Sequence, residues 1–250
     1  MTRLPPEAPP RFEARVLPGL PALAEEAARQ FQSAAKESIA ARGAFKVALS
    51  GGSTPCALHE RLTKEPFRRG VEWKRTLFFF GDERCVPPDS DRSNYRMARE
   101  TLFEPLGIRE ERTFRIRGED APKKAAEEYA RILEEQFPGE RRPRFDLILL
   151  GLGADGHTAS LFPGTRALSV RDRSVAANWV PKLRSWRITL TYPALNAARR
   201  VVFLVSGAEK AATSAAIIGK RGSTAFPAAR VRPRQGSLLW LLDEEAGARL

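Results

Sequence analysis

The sequence predicts an α/β fold built as a doubly wound, mainly parallel sheet flanked by helices. Two observations predict it. Short runs of continuously apolar residues recur along the chain, as expected of strands buried on both faces. Each run is followed by a turn, often glycine-bearing, and most then by a stretch whose apolar residues fall at helical spacing, the rhythm of strand–helix–strand units. The 250 residues contain no internal repeat, long linker or low-complexity block beyond the proline-rich Met1–Pro10. The expected organisation is therefore one domain over residues 1–250, with residues 1–10 flexible.

The elements follow in order. Ala22 to Ala41 reads as an amphipathic helix carrying Leu23, Ala27, Phe31, Ala34 and Ile39, and Gly43 stops it. Phe45 to Leu49 is a short buried strand. Ser50-Gly51-Gly52-Ser53-Thr54-Pro55 leads into a helix from about Pro55 to Leu62, with Thr54 as the expected cap and Pro55 at the first helical position. Thr76 to Phe80 is a second apolar strand, ending in Gly81-Asp82-Glu83-Arg84. Ser93 to Leu102 and Lys123 to Phe137 read as helices. Phe145 to Leu150 is the most apolar strand, and Gly151-Leu152-Gly153 follows at once. Val201 to Val205 is a strand, then Ser206-Gly207 and a helix from Ala208 to about Ile218. Leu238 to Leu242 is a last strand before a terminal helix.

Ligands of such folds sit outside the carboxyl ends of the strands. The turns after Leu49, Phe80, Leu150 and Val205 all map to that edge, and each carries chemistry. In Ser50–Pro55, two glycines let a ligand approach the backbone, and the helix behind them aims free N–H groups at the same spot. Ser53 and Thr54 add hydroxyls. The segment suits one phosphate group, although a plain turn explains the glycines equally well. It is neither a dinucleotide fingerprint nor a Walker loop. Arg84 has two available partners, a phosphate or the carboxylates Asp82 and Glu83.

Gly151 to Thr158 is the richest segment. Histidine changes charge between about pH 5 and 8, which suits general base catalysis. His157 sits in this glycine loop, whereas His59, the other histidine, lies in a helix without such a setting. Asp155 and Asp82 are both available to orient the His157 ring. No Gly-x-Ser-x-Gly elbow is present, and one histidine with carboxylates does not make a zinc site. Arg187 and Lys210 each put a cation beside an apolar strand. Lys210, in the first turn of a helix, is disfavoured by the dipole unless an anion binds there.

Bulk properties exclude other classes. No apolar run reaches the roughly 20 residues of a membrane helix. Two cysteines, Cys56 and Cys85, make no disulfide framework, and a reducing cytoplasm is expected. The net charge of +12 raises nucleic acid as a partner. The excess is scattered, however. Its tightest clusters, Arg141-Arg142-Pro143-Arg144 and Arg230-Val231-Arg232-Pro233-Arg234, lack the aromatic interleaving of a single-strand platform and read as solvated faces.

Together these segments resemble the 6-phosphogluconolactonase family over nearly the whole chain. The carriers are Ser50–Pro55, Phe80–Arg84 with Ser93-Asn94, Gly151–Gly164, Arg187-Ile188-Thr189, Gly207–Lys210 and Trp240–Asp243, of which Asp155–Pro163 is the most specific. The resemblance implies a Rossmann-like fold shared with glucosamine-6-phosphate deaminases. It also implies hydrolysis of a phosphorylated sugar lactone without metal or cofactor. In the deaminases a glutamate precedes the proline after the histidine loop; here that position is Phe162, which cannot move a proton. The implied roles are His157 as base, then acid, with Asp155 or Asp82 behind it. Gly51, Gly52, Ser53, Thr54, Arg187 and Lys210 hold the phosphate, and Arg84 is a donor to the oxyanion. The expected partner is the small lactone, not nucleic acid or membrane, and the expected assembly is a monomer or small homo-oligomer.

Overall fold

The computed structural model describes residues 11–219 and 225–250; the expectation for residues 1–10 lies outside the described residues. Six strands form a wholly parallel sheet: β1 (Arg11–Leu17), β2 (Phe45–Leu49), β3 (Thr76–Phe80), β5 (Leu147–Gly151), β8 (Arg200–Val205) and β9 (Ser237–Asp243). Their order in space is β3-β2-β5-β8-β9-β1. Three more strands, β4 (Asp82–Arg84), β6 (Val175–Val180) and β7 (Ser185–Leu190), form an antiparallel sheet in the order β4-β7-β6. Gly81 joins the sheets: its N–H donates to Leu49 O and its carbonyl accepts from Leu190 N, each at 2.8 Å.

The helices are α1 (Gly19–Arg42), α2 (Ser53–Leu62), α3 (Phe67–Gly70), α4 (Asn94–Ala98), α5 (Glu104–Leu106), α6 (Pro122–Gln136), α7 (Tyr192–Leu195), α8 (Ala211–Ile218) and α9 (Glu244–Gly247). A single π turn, Arg99–Phe103, links α4 to α5. α1 buries the face the spacing predicts: Leu23, Ala27, Phe31, Ala34 and Ile39 all lie in the core. The aromatic residues of β3 are the centre of that core. Phe78 packs on Phe103 at 5.0 Å and Phe79 stacks on Phe114 at 4.8 Å between ring centroids. Burying each such ring contributes about 2–3 kcal/mol. Trp240 of β9 stacks on Phe203 of β8 at 3.8 Å. The Tyr129 hydroxyl of α6 donates to Phe80 O and accepts from Phe80 N, tying that helix to the carboxyl end of β3.

The topology fixes where a ligand can sit. From β2 the chain steps outward to β3, then crosses back over β2 to β5 and continues outward through β8 and β9. The order reverses between β2 and β5, and the crevice of a doubly wound sheet opens at such a reversal. The loops after Leu49 and Gly151 flank it. Among the described residues no helix is long and apolar enough to cross a membrane.

Three differences from expectation bear on the site. α2 starts at Ser53, with Gly52 rather than Thr54 at the cap position. Gly52 has φ +111°, a conformation other residues rarely adopt, so the chain turns one residue before the first hydroxyl. Asp82–Arg84 is a strand rather than a turn, because it pairs with β7. The antiparallel sheet as a whole was not expected; Arg187 belongs to it and not to the parallel sheet.

Candidate active site

The loop after β5 carries the central pair. Asp155 Oδ1 lies 2.6 Å from His157 Nδ1 and also accepts from the His157 backbone N–H at 3.2 Å. Lys182 Nζ, from the turn between β6 and β7, donates to Asp155 Oδ2 at 3.1 Å. Burial works against the Asp155 charge. The hydrogen bond and charge of His157, with the Lys182 bond, outweigh it and hold the carboxyl down at about 2. An ionised carboxylate only accepts, so the proton in the short bond belongs to Nδ1. The neutral ring then carries its lone pair on Nε2. One face of the ring is covered by Phe162, stacked at 4.0 Å and 16°.

The loop is built around this pair. A methyl group at Gly153 would fall 2.1 Å from His157 Nδ1 and 2.9 Å from Asp155 Oδ1, so only glycine leaves the ring its place. Thr158 Oγ1 donates to Gly151 O at 2.8 Å, and Thr213 Oγ1 of α8 donates to Ala154 O at 2.7 Å. Ala159 is held at φ +46°, a left-handed conformation that costs about 1–2 kcal/mol for a non-glycine residue. Such strain persists where neighbours over-determine it. Here Thr158 and Ser160 are bonded on either side. Gly153→Ala is expected to keep the fold yet lower turnover about a hundredfold by displacing the imidazole. Circular dichroism beside a turnover assay reads both; a fully active variant overturns the steric argument.

Asp82 does not reach the histidine. Its Oδ2 accepts from Ser160 Oγ at 2.6 Å, and Asn94 Nδ2 donates to its Oδ1 and its carbonyl. Ser160 N–H donates to Thr189 Oγ1, and its carbonyl accepts from Asn178 Nδ2 at 2.8 Å. Asn94 in turn touches the first glycine loop, because a methyl group at Gly51 would fall 1.8 Å from Asn94 Oδ1. One buried polar chain therefore links α4, β4, the His157 loop, β6 and β7, and Asn94 packs it against the Gly51 loop. Each group in it is satisfied except Asn94 Oδ1. Glu83 caps α4: its carboxylate accepts from Asn94 N, Tyr95 N, Arg84 N and Ser93 Oγ. Burial raises its pKa against the pull of those N–H donors. The charged run at 82–84 is thus mostly scaffold.

The three cations, Arg84, Arg187 and Lys210, are all partly exposed. Arg84 donates to Arg92 O at 2.5 Å and pairs with neither Asp82 nor Glu83. It lies opposite Arg187 in the β4–β7 ladder. Arg187 donates to Ser185 Oγ at 2.7 Å and Trp186 O at 3.0 Å. Burial, then the adjacent Arg84, push its pKa below the usual guanidinium range, with Asp82 pulling the other way. Two neighbouring guanidinium groups bonded to neutral oxygens suit an incoming anion. Lys210 donates to Ser206 O at 2.6 Å at the carboxyl end of β8 and pairs with Glu209 at 3.0 Å. Ser53 and Gly52 are exposed, whereas Thr54 is 5% exposed, so the accessible part of that turn is Gly51 to Ser53.

Neither the other histidine nor the Cys85 thiol is poised for proton transfer. His59 is fully buried beside Thr101 Oγ1 at 3.0 Å, and burial pushes its pKa down to about 4. Burial pushes the Cys85 thiol up to about 11, far from a thiolate. Among the described residues, no cluster of His, Cys, Asp and Glu is placed to hold a metal ion. Sequence reading missed Lys182, Asn178 and the link from Ser160 to Asp82. Lys182 carried no signal, because the hairpin that presents it was not recognised.

The model of the family "Glucosamine-6-phosphate isomerases/6-phosphogluconolactonase" matches residues 19–240. A 6-phosphogluconolactonase of Nostoc sp. is 42% identical over 218 residues, covering 85% of this chain and 88% of that protein. The solved 6-phosphogluconolactonase from Trypanosoma cruzi superposes with a TM-score of 0.87 at 30% identity, covering 98% of each chain. A monomeric glucosamine-6-phosphate deaminase superposes with a TM-score of 0.79 over 95% of this chain and 100% of its own; at 20% identity it shares the fold alone. The chain belongs to the glucosamine-6-phosphate isomerase/6-phosphogluconolactonase family.

Proposed function

We propose that this chain hydrolyses 6-phospho-D-glucono-1,5-lactone to 6-phospho-D-gluconate, the lactone step of the oxidative pentose phosphate pathway, with His157 as general base. The observation that carries the reading is the Asp155–His157 pair at the sheet's point of reversal. It leaves Nε2 as the free basic nitrogen. Nε2 takes a proton from water as the oxygen attacks the lactone carbonyl. The tetrahedral oxyanion collapses, the ring C–O bond breaks, and the imidazolium returns the proton to the departing ring oxygen. Asp155 steadies the imidazolium in between. Gly51, Gly52 and Ser53, with Thr54 behind them, cradle the 6-phosphate at the start of α2. Arg187 and Lys210 supply charge, and Arg84 and loop N–H groups are the donors to the oxyanion. Asp82 acts on the loop through Ser160 and not on the substrate.

The second reading, deamination or isomerisation of an amino-sugar phosphate, needs an acid–base group where Phe162 stands. A phenyl ring stacked on His157 offers none. The partner is the lactone itself, and the chain works as a monomer or small homo-oligomer. Two free cysteines suit a reducing compartment, and we assign the reaction to the cytoplasm.

The test is acid release from freshly generated 6-phosphogluconolactone above the spontaneous rate, with and without EDTA. Rapid, EDTA-insensitive hydrolysis is expected. A folded sample with no rate above background overturns the assignment, and glucosamine 6-phosphate becomes the next substrate to try.

A further inference from the structure

The two arginine runs that read as solvated faces in the sequence converge on one cavity. Arg141 and Arg142, from the loop before β5, meet Arg230 and Arg234, from the segment before β9, with Arg171 and Tyr192 between them around a space of about 470 Å³. Five guanidinium groups line it. Among the described residues none of the five is in an ion pair. The neighbouring carboxylate, Asp172, lies in solvent and is taken by Arg173 at 2.9 Å. Five like charges gathered beside a single exposed carboxylate, Asp172, which also feels Arg142, raise the energy of the folded state. Other arginines, among them Arg15, Arg42, Arg61 and Arg200, are paired with acids.

The cavity is also built rather than incidental. Asn196 grips the second arginine run three times: Nδ2 donates to Arg230 O at 3.2 Å, Oδ1 accepts from Arg232 N at 2.6 Å, and its carbonyl accepts from Arg234 N at 3.0 Å. Arg142 Nη2 donates to Asp172 O at 2.7 Å, tying the loop before β5 to the segment that carries Arg171. Arg171 Nη1 donates to Leu168 O and Val170 O, both at 2.8 Å. Arg230 and Arg171 lie over the Tyr192 ring at 4.7 and 5.8 Å from its centroid. These anchors are backbone oxygens and a ring, all uncharged. Each guanidinium has five donors, and such bonds occupy only one or two of them. Charge and donors are left for an anion, held in fixed geometry.

This place is distinct from the candidate active site. The loops before β5, β8 and β9 lie at the amino edge of the parallel sheet, whereas the His157 loop lies at its carboxyl edge. The hairpin β6–β7 spans the gap. Its turn gives Lys182 to Asp155, and its other end runs into Arg171 and Tyr192. Six residues per strand make that about 20 Å.

We propose that this cavity is a second anion site, which binds a small molecule carrying two or more phosphate groups. Five unpaired guanidinium groups around one concave space match several adjacent negative charges, and guanidinium forks bind phosphate oxygens bidentately. A single orthophosphate engages only part of the ring. A nucleic-acid strand is disfavoured, because the cluster is concave and local, and its one aromatic, Tyr192, is buried at 5% exposure and covered by arginines.

The experiment is titration calorimetry of the full chain at constant ionic strength, with tripolyphosphate, orthophosphate and a 20-residue oligothymidylate as probes. Tripolyphosphate is expected to bind with one site in this cavity, at least about tenfold more tightly than orthophosphate. Arg141 and Arg234 are exposed and unpaired, so the double variant Arg141→Gln/Arg234→Gln should fold normally. It should lose at least about tenfold in tripolyphosphate affinity, since each charged hydrogen bond to phosphate contributes about 1.5–3 kcal/mol. Its lactone hydrolysis should be unchanged. Arg187→Gln, at the candidate active site, should leave this binding intact. The proposal is overturned if the double variant binds as the wild type does, or if Arg187→Gln abolishes binding, which would put the anion at the active site. Tighter binding of oligothymidylate than of tripolyphosphate, lost in the double variant, would make the cluster a nucleic-acid face instead.

Discussion

His157→Ala is expected to lower kcat for lactone hydrolysis by about a hundredfold to ten-thousandfold, the usual worth of a positioned proton-transfer group. KM should move little, because the proposed phosphate cradle of Gly51–Ser53, Arg187 and Lys210 does not include the ring. The fold should survive. The His157 side chain is 30% exposed; its removal loses the stack on Phe162, about 1 kcal/mol, and the bond to the partly solvated Asp155, about 1 kcal/mol more. That predicts a fall in Tm of several degrees. Lactones of this kind also open without enzyme, so the residual rate must be taken above the spontaneous one. Stopped assays with a heat-inactivated control, beside a thermal melt, separate the two quantities. A variant that keeps wild-type kcat removes His157 from the mechanism. One that loses both rate and fold shows instead that the ring holds the loop together.

How far the sequence reveals this site depends on how local each signal is. β2 and β3 fall where the sequence puts them, residue for residue, since a strand buried on both faces is a continuous apolar run. β1 escaped notice for the opposite reason. It is an edge strand in which Phe12 and Val16 are half exposed and charges alternate with apolar residues, so it has no continuous run. β6 and β7 carry Trp179 and Trp186 on an exposed face, opposite each other, and make sense only as a pair. His157, the proposed base, stands out in the sequence because glycines mark its loop. Its orienting partner was left open between Asp155 and Asp82. That choice is a matter of distance, and the competitor for Asp82 is Ser160, 78 positions away. Thr54 shows propensity losing to geometry. A threonine before proline is a good cap, yet Gly52 turns the chain first and leaves Thr54 buried. The arginine runs at 141–144 and 230–234 looked like separate solvated faces because nothing local says that two loops at one sheet edge will meet.

Asp155→Asn should cost nearly as much activity as removing the base, by a different route. The carboxylate only accepts a hydrogen bond, and that fixes the proton on Nδ1. An amide in its place can turn its NH2 group to the ring, which then accepts at Nδ1 and carries its proton on Nε2, where the base should be. It also offers no charge to the imidazolium that forms. A fall in kcat of about a hundredfold to ten-thousandfold is expected, with binding of 6-phosphogluconate retained. The substitution has a second signature, in stability. Burial opposes the Asp155 charge, but His157 and Lys182 hold its pKa at about 2, below the value near 3.9 of an unfolded chain. A group depressed in this way stabilises the fold above the unfolded value, and that contribution fades as pH falls from about 4 towards 2. The aspartate is partly solvated, so solvent screens the effect and keeps it small. Denaturant melts of wild type and variant between pH 6 and about 2.5 should therefore converge towards the acid end. Melts that stay parallel over that range would mean that Asp155 gains nothing from His157 and Lys182 in the folded chain. The wild-type activity of such a protein would then have to come from a ring oriented by some other group.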